Sequence, residues 1–124
     1  MDIKAKISDF TDLIAWQEGH KLVLAIYDIT KKFPTDERFG LINQLRKAAV
    51  SVTSNIAEGF RRNSYKEKTQ FYSMSFGSIA EIQNQLLIAK DLEYITQQEF
   101  DTINSILSLT SKLTRGLIKS SKLF

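Results

Sequence analysis

Apolar residues recur along this chain in steps of three and four, the repeat of a helix buried along one side. Leu22, Ile26, Ile29 and Phe33 make a first stripe, and Leu41, Leu45, Ala48, Val52 and Ile56 a second. Phe71, Ser75, Ser78, Ile82 and Ala89 mark a third, flanked by Met74, Leu86 and Leu87. Phe100, Ile103, Leu107, Leu113 and Leu117 make the fourth. The pattern predicts helices over roughly 12–33, 36–60, 65–92 and 97–120.

The boundaries follow from capping chemistry. Asp12 is a candidate N-cap for the first helix, and Pro34 ends it by pushing the preceding residue out of helical geometry. Thr35 is placed to cap the second, with Asp36 and Glu37 favourable in its first turn. Ser64-Tyr65-Lys66-Glu67 and Thr96-Gln97-Gln98-Glu99 both read as capping boxes. With one Pro and five Gly among 124 residues, turns are too scarce for an all-β chain. Connections this short make sequential helices run antiparallel. The expectation is an all-α, up-down-up-down four-helix bundle over residues 11–124, one domain, with residues 1–10 as an N-terminal arm.

The interiors of helices two and three are small: Ala48, Ala49, Ser51, Thr53, Ser54 and Ala57 on one, Ser73, Ser75, Gly77, Ser78 and Ala80 on the other. A glycine within a helix costs about 1 kcal/mol relative to alanine. Gly77 therefore implies close approach of a second helix, within the subunit or from a neighbour. Ser51, Asn55 and Glu58 share one stripe, and Ser78, Glu81 and Gln85 another. If the two face each other they form a polar layer, in which Asn55 would cap the turn at Gly59 and Glu58 would pair with Arg61 or Arg62. Pinning of the turn and direct contact with a ligand are the two accounts of this motif.

Charge narrows the function. The chain is mildly basic, net +3, with its excess in patches. Arg46, Lys47, Arg61, Arg62, Lys66 and Lys68 face only Glu58 and Glu67 between residues 46 and 68. Residues 102–124 carry four more cations and no acid. Such patches attract polyanions. Phe60 and Tyr65 are the only aromatics within the first patch, so no aromatic platform for single strands stands out.

Catalytic constellations are absent. There is no Cys, and the lone His20 belongs to no Glu-x-x-His pair, which disfavours a bundle di-metal site. No His follows an Arg, as a HEPN-type ribonuclease would need, and no phosphate-cradling glycine loop is present. Glu58 and Glu81 are the only acid–base pair worth naming. The expectation is a non-enzyme without cofactor or metal. The absence of Cys, of a secretory signal and of any membrane-length apolar run suggests the cytoplasm.

Four stretches carry a resemblance: FTDLIAW (10–16), YDITKKFPTDERFGLINQ (27–44), LRKAAVSVTSNIAEGFR (45–61) and GSIAEIQNQLLIAKDL (77–92). With FP-x-x-ERFGL, SNIAEG and GS-x-x-E together, the chain resembles the 23S rRNA intervening-sequence protein family over about residues 10–120. The resemblance implies a four-helix bundle assembling as a homopentameric ring. It also implies kinship with the accessory variability protein of diversity-generating retroelements, which binds nucleic acid and a reverse transcriptase. Thr53 stands where family members often have Pro, and Ser75-Phe76 where they often have Ala-Arg. The lost arginine removes a phosphate contact or salt bridge, and Phe76 suggests apolar packing between subunits. The reading is a homo-oligomeric protein that binds structured RNA, or DNA, through Arg46, Lys47, Arg61, Arg62, Lys66 and Lys68. The alternative is a scaffold docking a polymerase or another protein. Neither involves a membrane.

Overall fold

The computed structural model describes residues 6–121. Four long helices, α1 (Ile14–Thr30), α2 (Leu41–Phe60), α3 (Tyr65–Asp91) and α4 (Gln97–Ser121), follow one another with no strand among the described residues. Each packs on its neighbours in the chain, and α4 returns against α1, so the four surround one core. Leu22, Ile26, Leu45, Val52, Ile56, Ile82 and Leu86 are fully buried there. The facing pairs between α2 and α3 are Gln44 with Gln85, Ser51 with Ser78, and Val52 with Ser75. Residue numbers thus rise along one helix as they fall along the other.

Two helix starts differ from the expected ones. Asp12 does not cap α1. Its carboxylate accepts from the Ser8 and Asp9 amides, closing a single 3-10 turn at Phe10–Asp12, and α1 begins at Ile14. These bonds hold its carboxyl below the usual aspartate value, with the Ser8 amide the largest contributor. Residues 8–10 of the expected arm are therefore fastened to the bundle, whereas residues 1–5 lie outside the described residues. Thr35 does not cap α2 either. Pro34 leads into a second 3-10 turn, Thr35–Glu37, and α2 starts only at Leu41. Glu37 does the capping instead: its Oε1 accepts from the Leu41 amide at 3.1 Å. Its Oε2 accepts from the Tyr94 hydroxyl at 2.9 Å, joining the α1–α2 and α3–α4 connections.

Of the two expected capping boxes, the one at Thr96 forms in full and the one at Ser64 in its hydroxyl half only. The Ser64 hydroxyl accepts from the Glu67 amide at 3.1 Å. At Thr96 both halves of the box form, 3.1 Å to the Glu99 amide and 2.9 Å from Thr96 N–H back to Glu99. The α3–α4 turn places Glu93 in the left-handed region (φ 65°), while the Tyr94 amide donates to Ala89 O, the pattern of a Schellman ending. The Lys32–Glu99 ion pair ties the α1–α2 connection to the start of α4. Buried hydroxyls are satisfied locally: Thr30 donates to Ile26 O at 2.7 Å and Thr114 to Thr110 O at 2.7 Å.

Close helix approach occurs, but at other residues than Gly77. Ser75 donates across to Val52 O at 2.8 Å, and a Cβ on Gly59 would lie 2.6 Å from the Tyr72 ring. A Cβ on Gly77 would meet nothing within 4 Å, because that residue faces outward. The expectation of a tight crossing inside the subunit therefore fails at Gly77. Gly77→Ala should raise stability by about 1 kcal/mol through helix propensity alone, measured as a shift in the urea midpoint. A loss of stability instead would place Gly77 against a neighbouring subunit.

Candidate nucleic-acid interface

The six candidate cations do not form one cluster. Helical rotation sends them to two faces. Arg46, Lys47 and Arg61 lie on the α1–α2 side, while Arg62, Lys66 and Lys68 surround the α2–α3 turn.

Arg46 is engaged by α1. Its Nε donates to Thr30 Oγ1 at 2.9 Å, an Nη donates to Tyr27 O at 3.4 Å, and its guanidinium lies 4.7 Å from the Tyr27 ring centre. A cation there complements the carbonyl-rich end of α1. Lys68 does the same for α2, donating to Phe60 O at 2.7 Å and Gly59 O at 3.3 Å. Desolvation there holds its ammonium below the ordinary lysine value. Lys68 thus performs the turn-capping role expected of Asn55. Arg62 is half-buried between Glu58 (3.3 Å) and the Phe71 ring (4.7 Å), and its Nε has no hydrogen-bond partner among the described residues. Arg61 is exposed, 3.5 Å from Asp9 and over Phe10 at 5.5 Å. Lys47 and Lys66 are exposed, with no ion pair or side-chain hydrogen bond among the described residues.

The two polar stripes do meet, along the seam of α2 and α3. The Ser51 and Ser78 hydroxyls share a hydrogen bond of 3.0 Å. Asn55 does not reach the turn at Gly59. It bonds back one turn, to Ser51 O at 2.8 Å and Ser51 Oγ at 3.0 Å. Glu81 accepts from Gln85 at 3.3 Å, and Gln85 also donates to Gln44. Gln85 Oε1 is buried without a partner. Glu58 and Glu81 are both exposed, and neither makes a hydrogen bond to the other. Phe76, expected between subunits, lies under the Arg115 guanidinium of its own α4 at 5.4 Å. No three metal-ligating side chains converge among the described residues.

Beside α1 an open trough runs along α2. One hollow of about 480 Å³ is lined by Tyr27, Arg46, Lys47 and Val50; the next, about 390 Å³, by Phe10, Ala57, Glu58 and Arg61. Ser54 lines both. Sequence reading missed an aromatic row that adjoins the trough through Phe10, the one member of the row that lines it. Phe10 packs edge-on against Trp16 (5.6 Å), and Trp16 stacks on His20 (4.8 Å, 14° between planes). With Arg61 over Phe10, the row ends in a cation. These residues are some forty positions from the basic stretch, so only the tertiary fold joins them.

The sequence profile of the 23S rRNA-intervening sequence protein family matches residues 11–116. The chain belongs to that family. A crystal structure of a protein of unknown function from the S23 ribosomal protein family of Bacteroides thetaiotaomicron superposes with a TM-score of 0.79 at 20% identity, covering 86% of this chain and 96% of that one. It supports the same fold in this intervening-sequence protein. No curated protein matches. The motifs SNIAEG and GS-x-x-E of this family member lie together at the α2–α3 seam, where Ser78 meets Ser51 and Asn55 braces it. No helix among the described residues is long and apolar enough to cross a membrane.

Proposed function

We propose that this chain is a non-enzymatic, homo-oligomeric nucleic-acid-associated protein that binds structured RNA in the cytoplasm. In this reading its bundle has antiparallel up-down-up-down topology, and its copies close into a ring, a homopentamer by resemblance to its relatives. The observation that carries the reading is the α1–α2 trough, with the exposed Lys47 at one end, beside the α1-capping Arg46, and the exposed Arg61 at the other, beside Glu58. Phosphate contacts give affinity that depends steeply on salt, and repetition around a ring multiplies a modest patch. The family's name, which ties it to 23S rRNA, points the same way, as does the resemblance read in the sequence to the accessory variability protein.

The test is binding of a labelled hairpin RNA by fluorescence anisotropy across a salt series, with light scattering on the same sample. Affinity should fall with salt, the logarithmic slope approaching about −0.9 per phosphate neutralised. Lys47→Ala/Arg61→Ala should bind about tenfold more weakly, with a shallower slope and an unchanged melting temperature, because both side chains are exposed. An intact oligomer that binds no RNA at low salt refutes the reading.

A scaffold for a protein partner is the second reading. It is favoured by α3, where Glu81 is the only charged residue between Thr69 and Ala89 while Met74, Leu87 and Ile88 are 52%, 41% and 41% exposed. Capture of a partner that survives high salt would favour it.

A further inference from the structure

We propose that the Phe10–Trp16–His20 row is a stacking platform for an unpaired nucleotide, so that the nucleic acid taken by the trough is single-stranded or looped. The proposal rests on the nucleic-acid reading above and specifies its ligand.

Trp16 and His20 lie one turn apart on α1, with planes 14° from parallel. Trp16 is half-buried and packed against the core, which fixes the stack from below. His20 is exposed, and Trp16 is its only aromatic partner among the described residues; in this proposal its other ring face is the surface that a base would cover. An imidazole there contributes little to burial, and a flexible lysine or glutamate would serve solubility better. Val23 and Tyr27 continue the same stripe. Tyr27 is 39% exposed and carries Arg46 against its ring. His20 and Tyr27 stand about 10.5 Å apart along the helix axis, or about three rises of 3.4 Å in a stacked strand.

The charges complete the arrangement. Val50 and Ser54 on α2 leave the middle of the trough uncharged, while Lys47 stands near one end and Arg61, with Glu58 in the same hollow and Asp9 at 3.5 Å, near the other. Cations that follow a backbone, with π surfaces between them for bases, are how proteins hold single strands. A duplex offers no open base face and satisfies only the cations. That distinction makes unpaired nucleotides the better fit.

Trp16 is the only tryptophan, so its emission reports on the platform directly. The full chain is titrated with a 12-nucleotide single-stranded RNA, a blunt duplex of the same sequence, and polyphosphate as a polyanion without bases. The single strand should quench Trp16, and the duplex and polyphosphate should not. His20→Ala should weaken single-strand binding about tenfold, leave polyphosphate binding unchanged, and keep the wild-type melting curve. His20→Phe should restore the affinity. Single-strand binding without quenching, or with full affinity in His20→Ala, overturns the platform while the nucleic-acid reading stands. Equal quenching by the duplex or polyphosphate also overturns it. A change of oligomer mass in His20→Ala overturns it in favour of a second copy on this face. Loss of all RNA binding by the folded wild-type protein overturns both readings.

Discussion

Gly59→Val should lower the melting temperature by about 10–15 °C, at roughly 4 °C per kcal/mol for a chain of this size. Gly59 is buried in the last turn of α2. A Cβ built there falls 2.6 and 2.8 Å from two ring carbons of Tyr72 and 3.2 Å from Phe71 Cβ. The Tyr72 ring cannot swing aside freely, because the residue is 2% exposed; the same burial pushes its phenol above the ordinary value. Overpacking of this kind costs typically about 1–3 kcal/mol, and valine adds two methyl groups beyond the Cβ, so the upper end applies. Gly59→Ala should lose less, because the gain of about 1 kcal/mol in helix propensity offsets part of the clash. Thermal unfolding followed by circular dichroism measures both. A melting temperature unchanged in Gly59→Val would mean that α2 and α3 are not held this close at their turn. The same variant should disturb the cap, since Lys68 donates to the Gly59 carbonyl.

Gly59 and Gly77 show where the sequence is legible and where it stops. Both are helical glycines among small residues, and sequence pattern assigns the close approach to Gly77. The structure assigns it to Gly59, because rotation of a small-residue helix is decided by the larger side chains opposite, here Tyr72. The apolar stripes were readable because burial imposes the helical repeat: Leu22, Ile26, Ile29 and Phe33 are all buried. The caps at Ser64 and Thr96 were readable because their chemistry is local. The start of α2 was not, because Pro34 allows a separate 3-10 turn and Glu37 can cap from outside the helix. At the candidate site, the meeting of Ser51 with Ser78 followed from helical spacing. The grouping of the cations did not, because adjacent residues such as Arg61 and Arg62 leave a helix end in different directions. The joining of Arg61 to Phe10, Trp16 and His20 is a property of the tertiary fold, to which spacing along the chain is blind.

Two adjacent cations should separate cleanly by experiment. Arg46→Ala should cost about 2 kcal/mol of stability, whereas Lys47→Ala should change it by less than about 0.5 kcal/mol. Arg46 is half-buried and donates to Thr30 Oγ1, whose own proton goes to Ile26 O. Hydrogen bonds from a charged donor contribute about 1.5–3 kcal/mol, and the stack on Tyr27 adds to that. Truncation leaves a buried threonine oxygen without its donor and the end of α1 without its cation. Arg46→Lys should recover only part of the loss, because an ammonium cannot hold the Thr30 hydroxyl, the Tyr27 carbonyl and the Tyr27 ring together as a planar guanidinium does. Lys47, one residue on, touches none of these groups, and its removal should be read in RNA affinity alone. Urea midpoints at constant m-value report the first effect, and anisotropy titrations the second. Equal midpoints for the two variants would make Arg46 a free cation available to phosphate. A loss confined to Arg46→Ala would leave Lys47 and Arg61 as the charges that the trough offers to a ligand.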